Sequence, residues 1–268
     1  MSEDEYARRG IDLDKPNAAR VYDYILGGQL NYAVDRMFAE QVLSAQPNAR
    51  ERARLNRQWL RRAIRFGMDQ GIRQFLDIGS GMPTVGHVHE VAQAVDASAR
   101  VVYVDNEPVA VAHSEIVLED NDNAAMVHAD AEFPEDVLEH DITEMMLDLD
   151  QPVMVVMALF VHFIPDERNP AGLIAAYRDA LAPGSYLALS SATYEQQSDG
   201  TARAVAMYQK SANPVTPRSA DELRTLVDGF EIVDPGIVFI PEWRPDNPAE
   251  MPPNPAECGG LALVARKN

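Results

Sequence analysis

Between residues 73 and 191 the chain alternates short apolar runs with amphipathic stretches, and this constrains its fold more than any other feature. Runs at 73–78, 100–105, 124–129, 152–159 and 186–191 have the length of strands. Helical stretches at 85–95, 108–118, 135–140 and 169–181 lie between them. Parallel neighbours need a crossover of this kind, whereas antiparallel ones need only a turn, so the alternation implies an α/β layered fold with a mostly parallel sheet. The run 152–159 is continuously apolar, as in a strand covered on both faces. In open sheets of this type ligands sit outside the carboxyl ends of the strands, where the strand order reverses.

The residues at those ends are chemically distinctive. The first strand carries Asp77 and leads into Gly79-Ser80-Gly81. Glycines there permit a tight turn and close approach of the backbone to a ligand, and Asp77 is placed to face a ligand amine. The second strand ends in Asp105-Asn106, where a carboxylate can accept from both hydroxyls of a ribose. The third leads to Asp130-Ala131, an acid for an adenine amino group followed by a backbone N–H for a ring nitrogen. Thr84 stands where a dinucleotide-binding fingerprint would have its third glycine, which disfavours a dinucleotide cofactor. A nucleoside-type ligand is therefore expected, read by two acids and a glycine turn.

The flanks add detail. A short helix capped by Asn17 and stopped at Gly27-Gly28, a second helix over 34–44 and a long one from Asn48 to about Gln70 are expected before the sheet. In the long helix Leu55, Trp59, Ala63 and Phe66 form a core stripe. Arg50, Arg54, Arg57, Arg61 and Arg65 form a second face, read as a solvated surface, with docking of an acidic partner as its functional alternative. Helices over 202–210 and 220–227, the latter with a Ser219–Glu222 capping box, and strands over 231–238 and 261–265 complete a seven-stranded sheet. The Pro-rich loop 241–255 is placed to wall an acceptor site. The organisation expected is an N-terminal helical extension, 1–70, acting as a lid on a Rossmann-like unit, 71–268.

Charge and cysteine content narrow the partners. A formal charge of -19 repels phosphate backbones and anionic lipid, which argues against a nucleic-acid substrate. The longest apolar run is too short to span a bilayer, and the acidic N-terminus lacks the features of a secretory signal. A single cysteine, Cys258, fits a reducing cytoplasm. The six histidines show no metal-ligand pattern, so no metal is expected.

The motifs at 76–83, 101–108, 129–131 and 153–163 resemble those of class I S-adenosylmethionine (SAM) dependent methyltransferases. The whole chain is similar to an actinobacterial family of SAM-dependent methyltransferases long catalogued as a domain of unknown function. The similarity rests on Pro16-Asn17, Ala19-Arg20-Val21-Tyr22-Asp23-Tyr24, Leu26-Gly27-Gly28, Asn31, Asp35-Arg36, Asp77 to Gly81 with Pro83-Thr84, His89-Glu90, Tyr103 to Asn106 and Ala182 to Leu187. It implies the Rossmann-like class I fold and methyl transfer from SAM, with S-adenosylhomocysteine (SAH) as product. By resemblance, Asp77 and Gly79 to Gly81 hold the methionine end, Asp105 with Asn106 the ribose, and Asp130 with Ala131 the adenine. Arg20 and Tyr22 are expected in a lid over the methionine moiety, with Arg20 pairing its carboxylate. His162, after the fourth strand, is the candidate general base, against the plainer reading of a packed histidine. The acceptor is expected to be a small molecule. A non-catalytic SAM-binding sensor or interaction protein remains the alternative, because its donor site would look the same.

Overall fold

The computed structural model describes residues 12–83, 86–196 and 199–268. Strands β1 (Gln74–Ile78), β2 (Arg100–Asp105), β3 (Ala124–His128), β4 (Met154–Ala158) and β5 (Tyr186–Ala192) pair in parallel. Strands β6 (Glu231–Ile232), β7 (Val238–Phe239) and β8 (Gly260–Arg266) add antiparallel pairs at one end. The order is β3-β2-β1-β4-β5-β8-β6, with β7 also on β8, so the direction of winding reverses between β1 and β4. A single strand was expected over 231–238. It is divided into β6 and β7 around the cis Asp234–Pro235 bond, which makes eight strands rather than seven.

Period-two alternation sorts the strand residues onto two faces. Phe75, Val101, Tyr103, Met154, Val156 and Val264 pack with Trp59, Leu60, Ala63 and Ile64 of the long helix. Leu76, Val102, Val104, Val155, Leu187 and Leu263 pack on the other face with Leu173, Ile174 and Leu223.

The helices before the sheet are α1 (Ala18–Leu26), α2 (Ala33–Ala45) and α3 (Ala49–Asp69). The Asn17 side chain caps α1 by accepting from the Ala19 and Arg20 N–H groups, and Gly27, at φ 91°, ends it. Helix α4 (Val88–Gln93) starts later than expected because the Glu90 carboxylate accepts from the Gly86 and His87 N–H groups and fixes the cap there. Thr84 and Val85, on which two readings rested, lie outside the described residues. Then follow α5 (Pro108–Leu118), α6 (Pro134–Leu138), α7 (Asp141–Met146), α8 (Pro170–Ala180), α9 (Asp199–Tyr208) and α10 (Ala220–Leu226), the last closed by the expected Ser219–Glu222 box. Helix α7 was not anticipated; its start is capped by His140 Nδ1, which accepts from Ile142 N.

A third apolar cluster joins Val21 and Ile25 of α1, Ala39 and Val42 of α2, Ala49 and Ala53 of α3, and Ala204 of α9. Phe38 and Tyr208 close it with an edge-to-face contact at 5.1 Å. Helix α9, far along the chain, thus seats against α1 and α2. Together they roof the carboxyl ends of the central strands.

Candidate functional site

Under that roof lies a cavity of about 510 Å³, within the usual range for small-molecule sites. It opens along the strand ends at the β1/β4 reversal, as the topology requires. Tyr22, Asp77, Gly79, Ser80, Gly81, Asp105, Asn106, Asp130, Ala131 and His162 all line it.

Glycine turn and acids are held by one another. Gly79 and Ser80 donate their N–H groups to the Val104 carbonyl, at 2.9 and 3.1 Å. Gly81 N donates to Asp105 Oδ2 at 2.7 Å, and Glu107 N to Oδ1 at 2.9 Å. Gly79 and Gly81 have φ of 66° and 69°, and a Cβ on Gly79 would stand 2.5 Å from the Phe160 ring. Another residue would strain the turn and displace that ring. Asp130 Oδ1 accepts from Glu132 N at 3.1 Å. Asp105 keeps lone pairs for further donors, because a carboxylate offers about four acceptor sites. Burial pushes its carboxyl up, against the N–H groups that it accepts from.

Three polar groups at the wall are left open. The Asp77 carboxylate accepts no hydrogen bond among the described residues, and burial raises its pKa to about 7, with Arg57 pulling down and Asp105 pushing up. Ser80 Oγ and Arg57 Nε are buried with no partner among the described residues. Arg57 Nη2 donates to the Gly86 carbonyl at 3.1 Å. An unpaired carboxylate near an under-used guanidinium suits a zwitterion, with ammonium toward the first and carboxylate toward the second. The residues therefore fit the methionine end of a SAM molecule on their own chemistry.

Arg20 does not join them. It is 1% exposed and absent from the cavity wall. Its Nε donates to Asp35 at 2.9 Å, Nη1 to Glu107 at 2.8 Å, and Nη2 to the Asp12 and Lys15 carbonyls. The expected pairing with a ligand carboxylate is corrected: Arg20 is consumed inside the protein, tying α1 to α2 and to the loop after Asp105. Tyr22, by contrast, does reach the cavity. Its Oη donates to the Ala53 carbonyl and accepts from Asn56 Nδ2. Asn56 Oδ1 in turn accepts from Ser190 Oγ, and that oxygen accepts from Leu159 N. This chain of bonds joins α1, α3 and the ends of β4 and β5. Leu159 there has φ of 56°, a strained setting for a residue with a branched side chain.

His162 lies at the wall, but its Nδ1 accepts from Ala192 N at 3.3 Å, and burial with Arg218 nearby lowers its pKa to about 3. A neutral ring with Nδ1 as acceptor carries its proton on Nε2, so it is poorly suited to accept another. The general-base role is corrected on that ground; the ring holds the end of β5.

The face of α3 that carries Arg50, Arg57 and Arg65 was read as solvated, and the structure divides it, as it does the neighbouring Arg52 and Arg62. Arg50 donates to the Tyr24 and Ile25 carbonyls, Arg62 to those of Ile240 and Trp243, and Arg65 pairs with Asp246. Arg52 and Arg57 face the cavity. The Pro-rich segment 241–255 packs against α3 instead of walling the cavity, to which only its neighbours Ile240 and Cys258–Gly260 contribute.

The sequence profile of the S-adenosyl methyltransferase family matches residues 4–268. No curated protein sequence matches. Among solved structures, a candidate methyltransferase from Thermobifida fusca YX is 37% identical, with a TM-score of 0.91 over 97% of each chain. A DUF574 family protein from Streptomyces avermitilis MA-4680 is 35% identical, with a TM-score of 0.92 over 96% of this chain and 99% of that one. A SAM-dependent methyltransferase from Methanosarcina mazei shares the fold alone, at 16% identity and a TM-score of 0.50, over 73% of this chain and 92% of that one. With a family profile spanning residues 4–268 and two solved relatives at 37% and 35% identity over nearly the whole chain, this chain belongs to the S-adenosyl methyltransferase family and is a SAM-dependent methyltransferase.

Proposed function

We propose that the enzyme methylates a small molecule held between the lid and the ends of β4, β5 and β8. The observation that carries this is the reach of the cavity. It runs from Asp130 past Phe160 to Tyr208 and Gly260, between the strand ends and the helices above them, and so extends well past the residues assigned to the donor. A chamber of this shape suits a detached molecule better than a nucleic-acid strand, which the net charge also disfavours. The single unpaired cysteine supports a cytoplasmic setting.

In this reading Asp77 takes the ammonium of SAM, Arg57 its carboxylate, Ser80 a remaining polar contact, Asp105 and Asn106 the ribose, and Asp130 with Ala131 the adenine. SAM supplies a methyl group already activated by its sulfonium: the acceptor's lone pair forms the new bond to carbon, and the C–S pair stays on sulfur, leaving SAH. The protein's contribution is alignment and exclusion of water, which account for much of the rate in such transfers. Leu159 and Phe160, fixed by Ser190 and by the close approach of Gly79, set the boundary between donor and acceptor. With His162 committed to Ala192, no side chain is assigned as base, and a proton borne by the acceptor is lost to solvent once the product leaves the chamber.

An extract separated by ultrafiltration tests this. With SAM and the enzyme, the small-molecule filtrate is expected to yield SAH by mass spectrometry. SAH formed only with the protein and nucleic-acid retentate would overturn the small-molecule reading.

A further inference from the structure

We infer that the acceptor is an organic acid, a mainly apolar skeleton bearing a carboxylate that Arg52 receives. The inference rests on the small-molecule reading above and goes beyond it in naming the class.

Position is the first argument. Arg52 lies in the first turn of α3, and its Nε donates to the Cys258 carbonyl and its Nη1 to Thr201 Oγ1 at 3.3 Å. The guanidinium lies against Gly259, where a Cβ would stand 1.3 Å from Nη2. Gly260 opens β8 and pairs with Ala192 at the end of β5. Arg52 therefore stands over a strand two places beyond β4, roughly 10 Å from it. That is the acceptor side of the cavity, away from the β1, β2 and β3 loops that would read the nucleoside.

Charge is the second. The acids at the cavity wall are Asp77, Asp105, Asp130 and Glu132, and all follow or end β1, β2 and β3. At the far end the wall carries no acid: it is largely apolar, with Ile25, Val42, Ala49, Ala53, Ala204 and Val215, interrupted by the neutral polar groups of Gln46, Thr201 and Tyr208. Arg52 has only neutral hydrogen-bond partners there, and no ion pair to it occurs among the described residues. Burial lowers its pKa to about 10, with only the Cys258 thiol pulling the other way, as expected of a buried cation without a carboxylate partner. In a chain with 42 acidic residues against 23 basic ones, a buried cation with no acid beside it in a largely apolar, uncharged end of the chamber awaits its anion from outside. A carboxylate matches the planar fork of a guanidinium, and apolar walls match the rest of such a molecule.

The test titrates the SAH-loaded enzyme calorimetrically with matched pairs: 2-naphthoate against 2-naphthamide, and decanoate against decanamide. The wild type is expected to bind an acid at least about tenfold more tightly than its amide. Arg52→Gln should abolish that preference, and Arg52→Lys should keep some of it, since a point charge remains without the fork. SAH affinity should stay unchanged in both variants, which also reports that they fold. Equal binding of acid and amide, a preference that survives Arg52→Gln, or no binding of any acid would overturn the inference. Should Arg52→Gln fail to fold, the wild-type pairs and Arg52→Lys decide. Loss of SAH binding by the wild type would instead strike the donor-site assignment.

Discussion

A carboxyl group held at about 7 inside a cavity, with no donor among the described residues, makes the empty protein less stable than it need be. In the unfolded chain Asp77 ionises near 3.8, so between about 4 and 7 the folded state holds a proton that the unfolded state has lost. Stability then falls as pH rises through that window. The full penalty, of order 4 kcal/mol, is present above it. Asp77→Asn should therefore stabilise the ligand-free enzyme at pH 8 by about 2–4 kcal/mol, with no difference near pH 4, in urea unfolding. The same variant should bind SAM about tenfold or more weakly, because a charge-assisted bond to the ammonium is lost. Equal stability at pH 8 would mean that Asp77 is satisfied within the protein. Arg57→Gln should weaken SAM to a similar degree and leave decarboxylated SAM unaffected. A loss for both ligands would place Arg57 elsewhere than at the carboxylate.

At the scale of elements, the N-terminal helices depend on one buried cation. Arg20, Asp35 and Glu107 are all under 9% exposed, and Asp35 also accepts from the Asn17 and Tyr32 N–H groups. Asp23 has a similar role a turn further on, accepting from Leu30 N and Asn31 Nδ2. It lies so near Gly28 that a Cβ there would be 1.9 Å from its Oδ1. The polar residues of 16–36 are thus the internal joints of α1 and α2. Arg20→Met would leave two buried carboxylates without their shared cation, at a cost of about 3–5 kcal/mol. Chemical denaturation of the ligand-free variant should show that loss, and SAM affinity should fall with it as the loop after Asp105 is released. Weakened SAM binding with unchanged apo stability would instead return Arg20 to direct contact with the ligand.

Across the whole molecule, what could be read from sequence was what is local. Strand length, the acids at strand ends and the capping of α1 and α10 are set by neighbours within a few residues. The roles of Arg20, Arg52, Arg57 and Arg62 are set by partners remote in the chain: the Arg62 bond to the Trp243 carbonyl spans 181 residues, and that of Arg52 to Cys258 spans 206. A helical wheel separates the faces of α3 but cannot tell which face a distant turn will cover. Net charge, also readable without a fold, leads to a further expectation. SAM carries one net positive charge and SAH none, so the field of a chain at -19 favours the donor over the spent product. That preference acts over tens of ångströms at ~0.01 M salt and within about 10 Å at ~0.1 M. Calorimetry from low to moderate salt should show SAM affinity weakening while SAH affinity holds, so that the ratio of their dissociation constants shifts by about two- to fivefold. A ratio independent of salt would confine discrimination at the sulfur to groups in direct contact with it.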